Sequence, residues 1–345
     1  MKILIHHFDQ NAHGIVRFSD HEIIGVYDER PELNGKSVKE LLNVDKNIVL
    51  TNDFDKALDN AVQKNADLMI TTGEGLYFTK PNNVADWKKN ITKAIENNLN
   101  IYNLSKILYG DKTKDLKELA KKHKVKFDEA SDTHGYEQFF DYALKGVDEP
   151  VKTPIINFTG TSMNSGKITA MFIIKQKLEK KGKKISVIGT EPSSIFMGAD
   201  EQVIPEVYPT LKATSAIFGA IKKVELEKKP DLILVGNQTG LKASVHDFKE
   251  ARAGAIVAWQ IMLASKPDKI ILCSKWNNTK EIKPHLELIK HSIDKQVIAL
   301  IINGHGGKKD QVMDIINETE KKYNIPTMDV FLTPEKVDEL VSTLL

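Results

Sequence analysis

The sequence lacks several features that would point to particular classes of protein. Cys273 is the only cysteine among 345 residues, so no disulfide can form within the chain, and its apolar neighbours predict a buried strand thiol. Lys and Arg total 49 against 47 acidic residues, and this balance gives no reason to expect nucleic acid as a partner. No apolar run is long enough to span a bilayer, so we predict no membrane partner.

We also predict that the amino terminus is not a signal peptide. Only the short apolar stretch Ile3–Ile5 precedes His6, whereas a signal peptide needs a longer apolar segment. We therefore expect the protein to be cytoplasmic. A hydrophobic content of 41% with 28% charged residues is typical of a folded globular chain, and 345 residues exceed the usual size of one core. We predict two domains, 1–150 and 151–345, divided at the proline-containing and charged stretch Gly146–Pro154.

The first domain shows strands alternating with helices, which predicts a parallel α/β sheet of Rossmann type. The first strand leads into His6-His7-Phe8-Asp9 and not into a Gly-x-Gly-x-x-Gly turn, so dinucleotide binding is unsupported. Gly73-Glu74-Gly75 follows a later strand and could contribute to a site, although a simple glycine turn is the favoured reading. His6, His7 and His13 match no metal-binding spacing, so we predict no metal site. The predicted strands are Lys2–Ile5, Glu22–Tyr27, Asn47–Thr51, Asp67–Thr71 and Asn100–Asn103.

The second domain opens with a motif that is typical of phosphate binding. A short apolar strand, Ile155–Thr159, leads into a loop of small residues, and Gly166-Lys167 begins a strong helix. In this context backbone N–H groups and the helix N-terminus surround an oxyanion, and the lysine adds a full positive charge. The predicted ligand-binding residues are Gly160, Thr161, Ser162, Met163, Asn164, Ser165, Gly166, Lys167, Ile168 and Thr169.

Two positions of this motif do not suit a magnesium nucleotide. Ile168 stands where Ser or Thr would hold the ion, and Gly236 stands where an acid would follow the apolar strand Asp231–Val235. Thr169 could reach the site only with altered geometry. The loops offer three further acids, and spacing alone selects none of them: Glu191, Asp200 and Asp247.

The same residues therefore favour a phosphate ligand that needs no metal. Coenzyme A, with its pyrophosphate and ribose phosphate, would satisfy the loop donors, and ATP with Mg²⁺ stays open as the alternative. For catalysis we single out Lys167, Gln238 (with Asn237) as an oxyanion donor, and His246 as a base beside Asp247. A loop histidine without a role is the alternative for His246.

Taken as a whole, the chain resembles a family described as domain of unknown function 1611. The likeness rests on Ala12-His13-Gly14 with Arg17, on Gly160-Thr161 with Gly166-Lys167 and Thr169, and on Asp231–Val235 with Gln238. It implies a Rossmann-like N-terminal domain followed by a P-loop NTPase-like parallel-sheet domain similar to dethiobiotin synthetase. It also implies that Gly160, Thr161, Gly166, Lys167 and Thr169 hold phosphates and that Gln238 faces the site.

The resemblance further implies an activity, D-glutamate N-acetyltransfer from acetyl-CoA. The chain departs from the family pattern at Ser162, where Asp is usual, at Gly236, where Glu is usual, and at Glu191–Ser194, which replaces a Gln-Thr-Gly-type run. Our first hypothesis is an N-acetyltransferase for a small acidic amino acid. The alternatives are an ATP-dependent ligase or kinase and a non-catalytic nucleotide-binding protein. The sequence leaves a homo-oligomer open.

Overall fold

A computed structural model describes residues 1–72, 81–105, 110–130, 136–242 and 254–344. Two compact units divide the chain. Unit 1 comprises Met1–Asp132 with Pro192–Gly198, and unit 2 comprises Thr133–Glu191 with Ala199–Leu345. Among the described residues, no helix is both long and apolar enough to cross a bilayer.

Unit 1 contains a parallel sheet whose described strands have the order β3-β2-β1-β4-β5-β6, the doubly wound order of a Rossmann fold. This confirms the predicted fold class for the first part of the chain. The strands are β1 (Lys2–His6), β2 (Glu22–Tyr27), β3 (Leu50–Thr51), β4 (Leu68–Thr71), β5 (Asn100–Asn103) and β6 (Phe127–Glu129). The helices are α1 (Gln10–Phe18), α2 (Val38–Leu42), α3 (Phe54–Gln63), α4 (Pro81–Glu96) and α5 (Lys114–His123).

The core of unit 1 forms where the apolar stripes of α3 and α4 meet the sheet. Trp87 and Ile91 of α4 are fully buried, as their helical spacing predicts. The indole N–H of Trp87 donates to the hydroxyl of Thr71 at the end of β4 (2.6 Å). A buried indole needs such a partner, so this bond fixes α4 against the carboxyl end of the sheet.

Unit 2 contains a second parallel sheet, and its described strands have the order β13-β12-β11-β7-β10-β8-β9. This confirms the second parallel-sheet α/β domain. The strands are β7 (Ile155–Gly160), β8 (Ile185–Gly189), β9 (Glu201–Gln202), β10 (Leu232–Gly240), β11 (Lys269–Lys275), β12 (Val297–Asn303) and β13 (Thr327–Met328). The helices are α6 (Tyr136–Asp148), α7 (Lys167–Lys180), α8 (Thr210–Lys228), α9 (Gly254–Ser265), α10 (Ile282–Ile293), α11 (Lys309–Tyr323) and α12 (Pro334–Thr343).

Strand β7 lies at the centre of this sheet and carries the phosphate-loop motif at its carboxyl end. It pairs with β10 on one side and with β11 on the other, and all its residues are buried. Parallel strands that are covered on both faces are apolar nearly throughout, which explains why β7, β10 and β11 are so evident in the sequence. The helix that follows β7 ends just before Gly182, whose positive φ of 77° is the conformation typical of a glycine after a helix C-terminus.

The structure differs in detail from the sequence prediction at two places. The sequence predicts a loop directly after Asp231–Val235, but β10 continues through Gly236–Gly240, and every residue of the strand is buried. Thr333 is the N-cap residue of the last helix, as the sequence predicts, but its side chain makes no capping bond, because its hydroxyl donates to the carbonyl oxygen of Asp329 (2.9 Å). In both cases the polar groups find hydrogen-bond partners that lie outside the segment from which the prediction was made.

The compact units also divide earlier in the chain than the Gly146–Pro154 stretch. Helix α6 precedes that stretch, yet it packs closely on α8 within unit 2. A Cβ atom at Gly219 would lie 1.7 Å from the carbonyl oxygen of Phe139, so only glycine allows the two backbones to come so near. This close helix packing keeps α6 with the second sheet.

Candidate functional site

The phosphate loop joins β7 to α7 at the carboxyl end of the central strand. Its backbone reaches the helix through two residues with positive φ, Asn164 (57°) and Gly166 (89°). Asn and Gly are the residues that adopt this left-handed conformation at least cost. No side-chain hydrogen bond caps α7 within the described part of the chain, so its first backbone N–H groups point to where a ligand would bind.

Neighbouring strands hold the loop in shape from one side. The N–H of Thr161 donates to the carbonyl oxygen of Cys273 (2.8 Å), and its hydroxyl donates to the hydroxyl of Ser274 (3.1 Å). The amide of Asn303, at the end of β12, donates to the carbonyl oxygen of Asn164 (3.1 Å). The loop is therefore preorganised, which lowers the entropy that a ligand must remove on binding.

Lys167 lies inside the loop and is only 6% exposed. Its Nζ donates to the carbonyl oxygen of Ser162 (3.2 Å) and lies 3.5 Å from the hydroxyl oxygen of Ser165. Burial lowers the pKa of the Lys167 ammonium, while the negative charge of Glu191 acts in the opposite direction. A cation held by one carbonyl and one hydroxyl oxygen of the loop could exchange these contacts for the oxygens of a bound phosphate.

Gly160 is required by the same arrangement. A Cβ atom there would lie 2.3 Å from the hydroxyl oxygen of Ser165 and 2.9 Å from Cδ of Lys167. Both contacts are shorter than real Cβ atoms make, so a side chain at this position would push the lysine and the loop apart. The glycine that opens the motif is thus explained by the path of the lysine side chain.

The positions that normally serve magnesium carry no oxygen ligand here. Ile168 and Thr169 are both half-buried at the start of α7. A side chain at Gly236 would first meet Met171, whose Cε atom would lie 3.3 Å from the added Cβ atom. The hydroxyl of Thr190 donates to the Gly236 carbonyl (3.0 Å), which ties the end of β8 to β10.

Asn237 and Gln238 follow in β10 and have different surroundings. The amide of Asn237 donates to the side chain of Asn157 (3.3 Å) and to the carbonyl oxygen of Ala258 (3.2 Å), while its oxygen accepts from the N–H of Gln238. The Nε2 group of Gln238 donates to the carbonyl oxygen of Thr190 (2.7 Å) and lies 3.3 Å from a carboxylate oxygen of Glu206. Asn237 therefore braces the core, whereas Gln238 positions the segment after β8.

The three loop acids among which the sequence spacing could not choose have different surroundings in the structure. Asp200 accepts a hydrogen bond from the N–H of Val187 (2.9 Å) and supports the strand β8. Glu191 is half-buried, and its charge acts on Lys167. Asp247 and the candidate base His246 lie outside the described residues, as does Gly73-Glu74-Gly75. Of the three acids, Glu191 is thus the one whose negative charge affects the pKa of the loop lysine.

His285 is a feature near the loop that the sequence did not indicate. It is fully buried on α10, and its Nδ1–H donates to the carbonyl oxygen of Glu281 (2.7 Å). Its Nε2 atom has no hydrogen-bond partner among the described residues. That atom lies 2.8 Å from the position of a Cβ at Gly240, which pairs with Gly160 across the sheet. No sequence signal distinguishes this histidine from an ordinary helical one.

Unit 1 has polar groups of its own at the carboxyl end of its sheet. Donor atoms of His7, Asp28 and Glu29 lie within 4.8 Å of one another, a grouping that the histidine spacing did not reveal. Asp28 is already engaged by the guanidinium of Arg30 (2.7 Å) and by the N–H of Phe8 (2.7 Å). Burial alone would raise the pKa of Asp28, but these hydrogen bonds outweigh it and lower the pKa.

The start of α1 is also unlike a dinucleotide site. The carboxylate of Asp9 accepts from the N–H of Ala12 (3.0 Å) and caps the helix that would otherwise receive a pyrophosphate. A negative charge at that position repels phosphate.

The burial of Cys273 raises the pKa of its thiol to about 12, in keeping with the inert strand thiol expected from the sequence.

Comparisons with known proteins agree with this architecture. A family model described as "Domain of unknown function (DUF1611_C) P-loop domain" matches residues 143–341. A crystal structure of a DUF1611 family protein from Anabaena variabilis aligns with 99% of this chain and 99% of its own, at 13% sequence identity and a TM-score of 0.75. At that identity the likeness concerns the fold alone. No curated protein matches the sequence.

Two ligand-bound structures align with part of the chain at lower scores. Cobyrinic acid a,c-diamide synthase from Mycobacterium smegmatis, with bound ADP and magnesium, covers 56% of this chain and 94% of its own, at 9% identity and a TM-score of 0.40. A nucleotide-binding protein from Archaeoglobus fulgidus in complex with ADP covers 59% and 91%, at 13% identity and a TM-score of 0.35. Likeness at these scores does not establish what this chain binds.

Proposed function

The chain belongs to the DUF1611 family, and we propose that its P-loop domain binds acetyl-CoA and transfers the acetyl group to the amine of a small acidic amino acid, similar to D-glutamate. The loop residues Gly160–Thr169 would hold the phosphates of the coenzyme. The coenzyme would supply an activated acyl group as its thioester. The protein would supply binding, orientation and proton transfer.

One observation carries this proposal: a well-formed phosphate loop lacks the usual groups for a magnesium ion. Lys167 and the uncapped N-terminus of α7 are in place, whereas Ile168 and Gly236 provide no oxygen ligand. A nucleoside triphosphate normally needs a divalent ion to balance its charge. The phosphates of coenzyme A are diester and monoester groups that donors and a lysine can satisfy directly.

The residues present fit such a ligand. The loop is preorganised by Asn303 and Thr161, and within the described part of the chain the Lys167 ammonium has contacts of 3.2 Å and 3.5 Å to loop oxygens. Those contacts are long for a charged donor. Phosphate oxygens would replace them with shorter, charge-assisted hydrogen bonds, which favours binding. Gln238 would act by positioning the segment after β8, because its amide is already bonded there. His246 stays our proposed base from the sequence.

Calorimetry with acetyl-CoA, and separately with ATP in the presence and absence of Mg²⁺, tests the ligand. We expect acetyl-CoA to bind without a metal ion and the variant Lys167→Ala to bind it roughly 10- to 100-fold more weakly. Lys180→Ala, an exposed lysine at the end of the same helix, is the matched control. Release of free thiol in the presence of a panel of D- and L-amino acids then tests transfer. Tight ATP binding that requires Mg²⁺, with no response to acetyl-CoA, would contradict the proposal.

One observation favours a second candidate, an ATP-dependent ligase or kinase of dethiobiotin-synthetase type. The negative charge of Glu191 raises the pKa of Lys167 against the effect of burial, and a carboxylate that acts on the loop lysine could also assist a divalent ion. Under this candidate, ATP would bind only with Mg²⁺ and would be consumed with an acidic substrate. Binding of either ligand without any turnover would instead indicate a non-catalytic nucleotide-binding protein.

A further inference from the structure

The last residue of β12 reaches the phosphate loop across the strand that lies between them. Strand β11 separates β12 from β7 in the sheet, yet the side-chain amide of Asn303 donates to the carbonyl oxygen of Asn164 in the loop (3.1 Å). The same side chain lies against Gly166, because a Cβ atom there would be 3.1 Å from Cβ of Asn303. Asn303 therefore contacts both loop residues that have positive φ.

The amide of Asn303 is itself held in one orientation. Its Oδ1 atom accepts from the N–H of His305 (3.1 Å), so the Nδ2 group is the end that faces the loop. The residues that follow are fixed as well. The N–H of Gly304 donates to the buried carboxylate of Asp329 (2.9 Å), and the indole N–H of Trp276 donates to the carbonyl oxygen of His305 (3.1 Å). The donor that holds the loop is thus preorganised.

This hydrogen bond sets the direction of one backbone N–H group of the loop. The peptide between Asn164 and Ser165 is trans, so its carbonyl and its N–H point in nearly opposite directions. Because Asn303 binds the carbonyl, the N–H of Ser165 points away from Asn303. A phosphate loop binds by presenting such N–H groups to ligand oxygens. The orientation of this peptide therefore matters to a ligand that Asn303 need not touch.

We propose that Asn303 is a positioning residue of the phosphate site: its hydrogen bond to the Asn164 carbonyl turns the Ser165 N–H toward the phosphates of the donor substrate. Without that bond, the ligand would have to order this peptide on binding, and affinity would fall. Asn303 takes no part in the chemical step, so kcat should not depend on it. This inference rests on the proposed binding of acetyl-CoA by the loop.

The test compares Asn303→Ala with Asn303→Asp, and Asn277→Asp is the matched control. Asn303→Ala loses a neutral hydrogen bond, so calorimetry should show roughly 3- to 10-fold weaker binding of acetyl-CoA. Asn303→Asp keeps the shape of the side chain but turns an oxygen toward the Asn164 carbonyl, so its loss should exceed that of Asn303→Ala. Asn277 is exposed and lies just after β11. A negative charge there should change the affinity by less than about two-fold, because an exposed charge is well screened.

Steady-state kinetics separates positioning from a merely structural role. In Asn303→Ala we expect the KM for acetyl-CoA to rise by the same factor as the calorimetric affinity falls, while kcat stays at the wild-type value. Thermal unfolding without ligand checks that both variants fold, and Asn303→Ala carries the test if Asn303→Asp does not. If Asn303 only filled space beside Gly166, Asn303→Asp would bind like the wild-type protein and Asn303→Ala would be the weaker binder.

That reversed order of the two variants would overturn the inference. Wild-type affinity in both variants, while Lys167→Ala binds more weakly, would overturn it too, because the loop would then not depend on this bond. Failure of the proposed function looks different, since the wild-type protein would then give no calorimetric response to acetyl-CoA. ATP with Mg²⁺ then serves as the probe of the same loop, and the same order of variants is expected. No response to either probe would overturn both proposals.

Discussion

The ammonium of Lys167 donates to the carbonyl oxygen of Ser162 at 3.2 Å, so the lysine side chain folds back onto the phosphate loop that precedes it. The bond joins two residues of one short segment, and it keeps a buried cation satisfied before any ligand arrives. A phosphate can then replace a neutral carbonyl with a charged oxygen. Under the proposed function, the ligand would meet a loop whose lysine is already held in place.

The first prediction concerns this lysine. Lys167→Ala removes charge-assisted hydrogen bonds worth about 1.5–3 kcal/mol to a bound phosphate, which corresponds to roughly 10- to 100-fold weaker binding. Calorimetry with acetyl-CoA measures the change. Lys180→Ala, at an exposed position on α7, should leave affinity within two-fold of the wild-type protein. Unchanged affinity in Lys167→Ala would mean that the phosphates bind elsewhere.

The second prediction concerns the glycine that opens the loop. In Gly160→Ala the new methyl group would lie 2.3 Å from the hydroxyl oxygen of Ser165 and 3.1 Å from Nζ of Lys167, so the loop must shift. We expect a loss of about 1–3 kcal/mol in the free energy of unfolding, together with weaker ligand binding. Urea unfolding measures the first quantity. Gly236→Ala is the control, because its methyl group would meet the flexible end of Met171 at 3.3 Å and the carbonyl oxygen of Ile188 at an ordinary 3.8 Å, and its effect should be smaller.

The third prediction separates the two neighbouring amides of β10. Asn237→Ala leaves the N–H of Gln238 without its acceptor and removes a donor from Asn157 and Ala258. Buried groups without partners cost about 1–3 kcal/mol, so the free energy of unfolding should fall by that amount. Asn317→Ala, at an exposed position on α11, should change it by less than about 0.5 kcal/mol. A stable Asn237→Ala variant that has lost only turnover would assign Asn237 to catalysis instead.

Gln238→Ala should behave differently from Asn237→Ala. Its amide holds the carbonyl oxygen of Thr190, and so it orders the segment that carries Glu191. We expect the KM of the amine acceptor to rise several-fold while the affinity for acetyl-CoA is kept. Steady-state kinetics with each substrate varied in turn gives the two values. Equal effects on both substrates would argue against a positioning role.

The fourth prediction is a dependence of stability on pH. Burial lowers the pKa of His285 in unit 2, and burial followed by the charge of His7 lowers the pKa of His6 in unit 1. The folded protein keeps both rings neutral, whereas the unfolded chain binds protons near the usual value of about 6.5. Stability is therefore fully present above about pH 6.5 and falls as the pH drops below it, by about 1.4 kcal/mol per pH unit for each ring that stays neutral.

Urea unfolding at pH 8, 6.5 and 5.5 measures this slope. The variant His285→Gln removes one titrating ring and should flatten the dependence for unit 2 below pH 6.5. His291→Gln, at an exposed position on the same helix, is the control and should leave the slope as it is in the wild-type protein. A slope that does not respond to His285→Gln would mean that other groups cause the acid sensitivity.

The sequence by itself determined the parts of this protein that contiguous residues encode. The phosphate loop is one such part, because its glycines, its lysine and the uncapped helix lie within Gly160–Thr169. The central strands are another, because strands covered on both faces need unbroken apolar runs. The parallel α/β sheet of unit 1 followed from the alternation of strands and helices, and the structure confirms it.

Other features were decided by contacts between residues that are distant in the chain, and only the tertiary structure reveals them. Gly236–Gly240 has the composition of a loop, yet it continues β10 because strand β7 and the side chain of Asn157 provide partners. Spacing could not choose among Glu191, Asp200 and Asp247, but hydrogen bonds assign Asp200 to β8, and the charge of Glu191 acts on Lys167. A local pattern specifies conformation, whereas the partner of a polar group depends on which segments the fold brings together.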